Sequence, residues 1–234
     1  MKQIKYALPS LFTVMAMMFA FYAVTQAFGG RFTAASYGVI AAMIFDSLDG
    51  RSARLLNACT PFGASLDSLA DMMAYGVAPA VMLYCWGLYT LDKTGYLVCF
   101  IFCACAGLRL ARFNIRKDVV DKRYFQGLSS TIAGGFVVSF ILSSVQYQWY
   151  SPTVILFAAV MMVVTALLMV SNIKFYSFKA MGLSRALIMT LAILFIALSV
   201  ALLVKFKGMA FFIVLGSYIL ISLVLYISGI TRRK

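Results

Sequence analysis

Residues 46–71 read DSLDGRSARLLNACTPFGASLDSLAD. The stretch closes one apolar run, 33–57, and opens the next, 62–90. A helix needs about 20 apolar residues to cross the hydrocarbon core of a bilayer, so each run is long enough to span one. The short loop at 57–61, with Asn57 and Pro61, folds the two helices antiparallel. Asp46 and Asp49 are spaced i,i+3, and Asp67 and Asp71 are spaced i,i+4. Each pair therefore shares one face of its helix. Gly63 lies one turn before Asp67 on that face. Two acidic faces meet at one end of a helical hairpin.

The rest of the chain repeats the apolar pattern. Of its 234 residues, 64% are hydrophobic and 12% charged, and the mean hydropathy is +0.97. A soluble domain of this length needs far more charge to cover its surface. The sequence predicts an all-α, polytopic transmembrane bundle formed by one domain, residues 1–234. Eight spans are expected, near 7–29, 33–57, 62–90, 94–115, 128–148, 152–171, 184–204 and 209–229. The N-terminal run is long and lacks a small-x-small cleavage site, which favours a retained helix over a signal peptide.

The net charge is +13, from 20 basic and 7 acidic residues. Nucleic-acid binding is not expected, because the charge sits in short segments between apolar runs rather than on a soluble face. With the N-terminus in the cytoplasm, only Arg31, Lys93, Lys205 and Lys207 fall on the outer side. The other basic residues fall inside, so the positive-inside rule predicts N-in and C-in. Juxtamembrane cations also suit anionic membrane lipids.

All seven acids are Asp, and there is no histidine. Histidine metal sites and Ser-His-Asp chemistry are excluded. The five cysteines form no CxxC pair and read as core residues. Four carboxylates converging at a membrane boundary repel one another and are costly to desolvate. Arg51 and Arg54 offset part of that charge, and two dications would cancel it. An all-oxygen donor set suits Mg²⁺, Mn²⁺ or Ca²⁺. Such pairs of ions activate an attacking oxygen and stabilise a leaving phosphate. Gly50, Ala53 and Gly63 remove bulk beside the carboxylates, so a ligand can approach the backbone. Arg54, one turn from Gly50, suits a diphosphate. On spacing alone, a helix–helix polar contact or an ion pathway stays open.

The pattern D-x2-D-G-x2-A-R-x8-G-x3-D-x3-D is filled at every fixed position, by Asp46, Asp49, Gly50, Ala53, Arg54, Gly63, Asp67 and Asp71. In this the chain resembles the CDP-alcohol phosphotransferases, integral-membrane enzymes that displace CMP from a CDP-linked donor with an alcohol. The resemblance implies a six-helix core, a homodimer and two divalent cations. It implies that Asp46, Asp49, Asp67 and Asp71 bind metal and that Asp71 is also the base. Asp49, Gly50, Ala53, Arg54, Thr60 and Gly63 are then the residues around a CDP-diacylglycerol donor.

Residues 107–128, GLRLARFNIRKDVVDKRYFQGL, and residues 68–80, SLADMMAYGVAPA, resemble the phosphatidylserine synthase branch of that family. One departure is Ser129-Ser130 after YFQGL, where the branch usually carries a proline. The resemblance covers about the first 130 residues and implies L-serine as acceptor. Serine is a zwitterion whose carboxylate needs a cation. Arg109, Arg112 and Arg116 offer guanidiniums on one helix end, with Asn114 and Gln126 as polar partners. A phosphorylated acceptor such as glycerol 3-phosphate or an inositol phosphate would use the same arginines. A divalent-cation transporter is the reading from another class, although its site is expected near mid-membrane. The expected location is the cell (inner) membrane, with the active site facing the cytoplasm.

Overall fold

The computed structural model describes residues 2–116, 124–176 and 208–228. Five segments are long and apolar enough to cross a membrane: Ala7–Phe28, Pro61–Trp86, Leu88–Ile115, Ser130–Tyr147 and Pro152–Val170. The protein is thus a multi-pass membrane protein. The elements are α1 (Lys2–Phe28), α2 (Phe32–Leu55), α3 (Pro61–Asp71), α4 (Ala78–Trp86), α5 (Asp92–Arg116), α6 (Ser130–Tyr147), α7 (Pro152–Val170) and α8 (Gly208–Ile227). Helix α2 is long enough to span, but Asp46, Asp49, Arg51 and Arg54 dilute its apolar composition. The span expected over 184–204 lies outside the described residues.

Helices α1 and α2 pack closely because small residues line their seam. Ala16, Ala20, Ala23 and Ala27 recur at helical spacing on α1 and meet Ala35, Val39 and Ala42 of α2. Helix α6 is the axis of the bundle, buried continuously from Ala133 to Ser144. The seam sides are buried, while Leu11, Phe21, Phe100, Phe157, Leu167 and others stand exposed on the outer faces. Such a surface suits lipid, not water.

The α2–α3 hairpin is written in local chemistry. At the end of α2, the Ala58 amide donates to Ala53 O (2.8 Å) and the Asn57 amide to Arg54 O (3.2 Å). Asn57 takes the left-handed conformation, φ 48°. This pairing satisfies the last carbonyls of the helix. Three residues later Thr60 caps α3, its Oγ1 accepting from the Gly63 amide at 3.0 Å, and Pro61 opens the helix.

Between α3 and α4 the chain passes through a π-helical turn, Met72–Val77, within one continuous rod. Pro79 gives the physical reason. Its ring would clash with the Tyr75 carbonyl in a regular α-helix, and it has no N–H to donate. The wider turn relieves that clash, and the Ala78 amide donates five residues back, to Met73 O. Gly134 of α6 abuts this bulge. A Cβ there would stand 2.9 Å from Tyr75 O and 3.0 Å from its Cα.

The helices are joined by one short ribbon. Strands β1 (Tyr124–Gln126) and β2 (Lys174–Tyr176) form a two-stranded antiparallel ribbon, with Phe125 opposite Phe175. It ties the α5–α6 connection to the segment after α7. The Gly127 amide donates to Ile173 O (2.9 Å) and the Leu128 amide to Leu168 O (2.9 Å).

Gly127 sits at φ +78°, where a Cβ would meet Met169 O and lie 2.7 Å from Arg112 Nη2. We expect Gly127→Ala to destabilise the protein by about 2 kcal/mol or more, from left-handed strain plus overlap. In a chain of this size that corresponds to a fall of roughly 4–8 °C in melting temperature. Thermal unfolding in detergent, followed by tryptophan fluorescence, measures it.

Candidate active site

Helix α2 carries Asp46 and Asp49 on one face, and the hairpin brings Asp67 and Asp71 of α3 against them. One carboxylate oxygen from each of Asp46, Asp49 and Asp67 lies within 4.8 Å of the others. Among the described residues this is the one group of three with metal-ligand geometry. The Asp71 side chain completes the constellation, within hydrogen-bonding reach of Asp46. Asp49 is the most buried of the four, only 5% exposed.

The donor set fits a hard divalent cation. Oxygens around one such ion lie no farther apart than about twice the metal–oxygen distance, ~4 Å for Mg²⁺ and ~5 Å for Ca²⁺. The oxygens of the three-aspartate cluster, within 4.8 Å of one another, fall inside the limit for Ca²⁺ and a little beyond that for Mg²⁺, and all belong to carboxylates. The cluster can therefore hold a metal ion.

The two aspartates of α2 are held from the sides. Thr13 of α1 donates to Asp49 Oδ2 at 2.7 Å, and its Oγ1 also lies 3.2 Å from Pro9 O. Tyr75, in the π turn, donates to Asp46 Oδ2 at 2.8 Å. Sequence reasoning missed both. Tyr75 had a legible signal, since it lies one turn beyond Asp71 on the same face. Thr13 had none: it is one of several hydroxyls in an apolar run, with nothing to single it out.

The residues expected around the donor lie on the same hairpin. The Arg54 guanidinium lies over Gly50, 3.8 Å from where a Cβ would stand. Ala53 accepts the amide that closes α2. Thr60 and Gly63 are joined by the α3 cap. A Cβ on Gly63 would sit 3.2 Å from Thr60 Oγ1, so the glycine serves the cap as well as any ligand.

The five residues expected at the acceptor are divided by the structure. Arg109 faces Asp71, donates to Ser130 Oγ at 2.8 Å, and lies 5.7 Å from the centre of the Phe113 ring. Asn114 Nδ2 donates to Ser68 Oγ at 2.9 Å, beside Asp67. These two border the aspartates. Arg112 instead caps the C-terminal end of α7. Its Nη1 donates to Val170 O (2.9 Å), and its Nη2 to Gln126 O (3.0 Å), Met169 O (3.2 Å) and Ser171 O (3.3 Å). Gln126 Nε2 donates to Asn172 Oδ1 at 3.1 Å in the same junction. The side chain of Arg116 lies outside the described residues.

Residues 6–164 match the CDP-alcohol phosphatidyltransferase family model, and the chain belongs to that family. It is 35% identical over 174 residues to a CDP-diacylglycerol–serine O-phosphatidyltransferase of Helicobacter pylori, covering 74% of this chain and 73% of that one. It is 38% identical over 141 residues to a protein of the same name from Bacillus subtilis, covering 60% and 73%. It is also 32% identical over 182 residues to an archaetidylserine synthase of Methanothermobacter thermautotrophicus, covering 77% and 74%.

Proposed function

We propose that the protein transfers the phosphatidyl group of CDP-diacylglycerol to L-serine, releasing CMP. The observation that carries this reading is the convergence of four aspartates from two helices near Arg109, with Arg54 over Gly50 on α2. The relatives' names favour serine among acceptor alcohols. In this reading Asp46, Asp49, Asp67 and Asp71 hold two divalent cations, Mg²⁺ or Mn²⁺, which when bound neutralise the diphosphate and the charge on departing CMP.

The remaining roles belong to side chains. Arg54 grips the diphosphate where Gly50 leaves room. Arg109 takes the serine carboxylate, with Asn114 at the rim. Asp71 accepts the proton of the serine hydroxyl as its oxygen attacks the phosphorus that bears the diacylglycerol. The bond from that phosphorus to the bridging oxygen breaks, and the electron pair leaves with CMP. Holding the two reactants in line contributes most of the acceleration.

The site would face the cytoplasm of an inner membrane, with both termini inside. Support comes from charge: Arg51, Arg54, Arg109 and Arg112 lie at the same helix ends as the aspartates, whereas Arg31 and Lys93 lie at the opposite ends. The homodimer that the resemblance implies belongs to the same reading.

An acceptor competition tests it. Purified protein with CDP-diacylglycerol and Mn²⁺ is expected to release CMP with L-serine, and not with glycerol 3-phosphate or inositol phosphate. Exhaustive EDTA should remove the activity, and Mn²⁺ should restore it. Turnover of glycerol 3-phosphate but not serine would reassign the acceptor. Activity that survives EDTA would remove the metal centre from the reading.

A further inference from the structure

Tyr75 has no exposed surface, and its ring packs with Ala20, Ala42 and Ala74 against Phe19, Met43 and Met73. A pocket lined this way accepts Phe as readily as Tyr. The phenol hydroxyl would be costly there without a partner. Its partner is Asp46 Oδ2 at 2.8 Å. On the far flank, Thr13 is 3% exposed and spends its hydroxyl on Asp49 Oδ2 at 2.7 Å. The two donors come from different elements, α1 and the π turn. They bind the same kind of oxygen on two acids one turn apart.

We propose that Tyr75 and Thr13 form a two-sided hydroxyl clamp that sets the orientation of Asp46 and Asp49 for cation binding. A carboxylate rotates freely about its Cβ–Cγ bond unless one oxygen is held. With Oδ2 fixed by a buried hydroxyl, the other oxygen of each carboxylate is left for a cation. Both residues are too deeply buried to touch a lipid-borne donor or serine, so they are positioning residues and not catalytic ones. Outer partners of this kind commonly change metal affinity 10- to 100-fold.

The inference rests on the proposed metal centre, and the test separates the two. Full-length protein in nanodiscs is titrated with Mn²⁺ alone, and free Mn²⁺ is read by electron paramagnetic resonance. Tyr75→Phe removes one oxygen and keeps the ring. Thr13→Val keeps the shape, and Thr13→Ser keeps the hydroxyl. Tyr75→Phe and Thr13→Val should each weaken Mn²⁺ binding about tenfold, while Thr13→Ser stays near wild type. Metal-free melting temperatures should move by less than about 3 °C. A purely structural role would do the reverse, lowering the metal-free melting temperature with Mn²⁺ affinity unchanged, and would overturn the clamp. Equal Mn²⁺ binding by wild type and variants would also overturn it and leave the metal centre standing. Wild-type protein that binds no Mn²⁺ overturns the metal centre, and the clamp with it.

Discussion

Asp71→Asn is expected to reduce CMP release by about 10³-fold or more and to leave the protein folded. General-base catalysis by a positioned carboxylate typically contributes about 10²–10⁴ in rate, and the same change removes one of four acids proposed to hold metal. Asn matches Asp in shape, so the α3 terminus and the π turn behind it keep their packing. It also removes one negative charge from a site where Asp71 reaches Asp46 and lies near Asp67. Repulsion therefore falls, and the metal-free melting temperature should hold or rise. Two measurements together identify the role. Activity of Asp71→Asn should stay low as Mn²⁺ is raised far above the wild-type requirement, because excess metal can refill a weakened site but cannot replace a base. Recovery at high Mn²⁺ would reduce Asp71 to a ligand. Full activity at ordinary Mn²⁺ would remove it from the chemistry.

Much of this site was legible in sequence because its determinants are local. The i,i+3 and i,i+4 spacings put each acidic pair on one face, and the loop that joins them announces itself. Asn57 tolerates the left-handed position that ends α2, Thr60 supplies the cap and Pro61 the first turn. The apolar runs did the same for the helices, since about 20 residues of hydrocarbon-compatible chain leave few alternatives.

What stayed hidden depends on contacts between distant segments. The ribbon is three residues per strand, too short for any period to register, and Gln126 pairs with Lys174 across two transmembrane helices. The π turn leaves only Pro79 as a trace, and a proline in a helix can equally signal a kink or a break. Thr13 reaches Asp49 from another helix, and hydroxyls in apolar runs usually bond back to their own carbonyls. The partners of Arg112 depend on the fold in a related way. Sequence shows that a cation is present near the site; only the fold shows which oxygens it faces. Arg109 and Arg112 are three residues apart on α5, and a small difference in direction sends one to Asp71 and Ser130 and the other to the end of α7.

That divergence carries the second large prediction. Arg109→Met should raise the KM for serine about 10²-fold and leave the KM for CDP-diacylglycerol nearly unchanged. Truncating one partner of a desolvated charge pair typically costs about 2–5 kcal/mol, and each 1.4 kcal/mol is tenfold. The methionine keeps most of the aliphatic volume, so the fold loses little beyond the bond to Ser130. Arg112→Met should behave in the opposite way. Its guanidinium satisfies carbonyls at Met169, Val170 and Ser171, which at the end of α7 have no backbone donor in the helix, and the carbonyl of Gln126 in β1. Hydrogen bonds to a charged donor are worth about 1.5–3 kcal/mol each in isolation, though several sharing one group do not add. A loss of about 3 kcal/mol is therefore expected, seen as a melting temperature lower by roughly 6–12 °C. The serine KM of the folded fraction, assayed well below that temperature, should change less than about threefold. The same pair of measurements on both variants decides the matter. A large serine KM effect in Arg112→Met without a loss of melting temperature would return Arg112 to the acceptor site. An Arg109→Met protein with unchanged serine KM would leave the acceptor carboxylate to Asn114 and to cations outside the described residues.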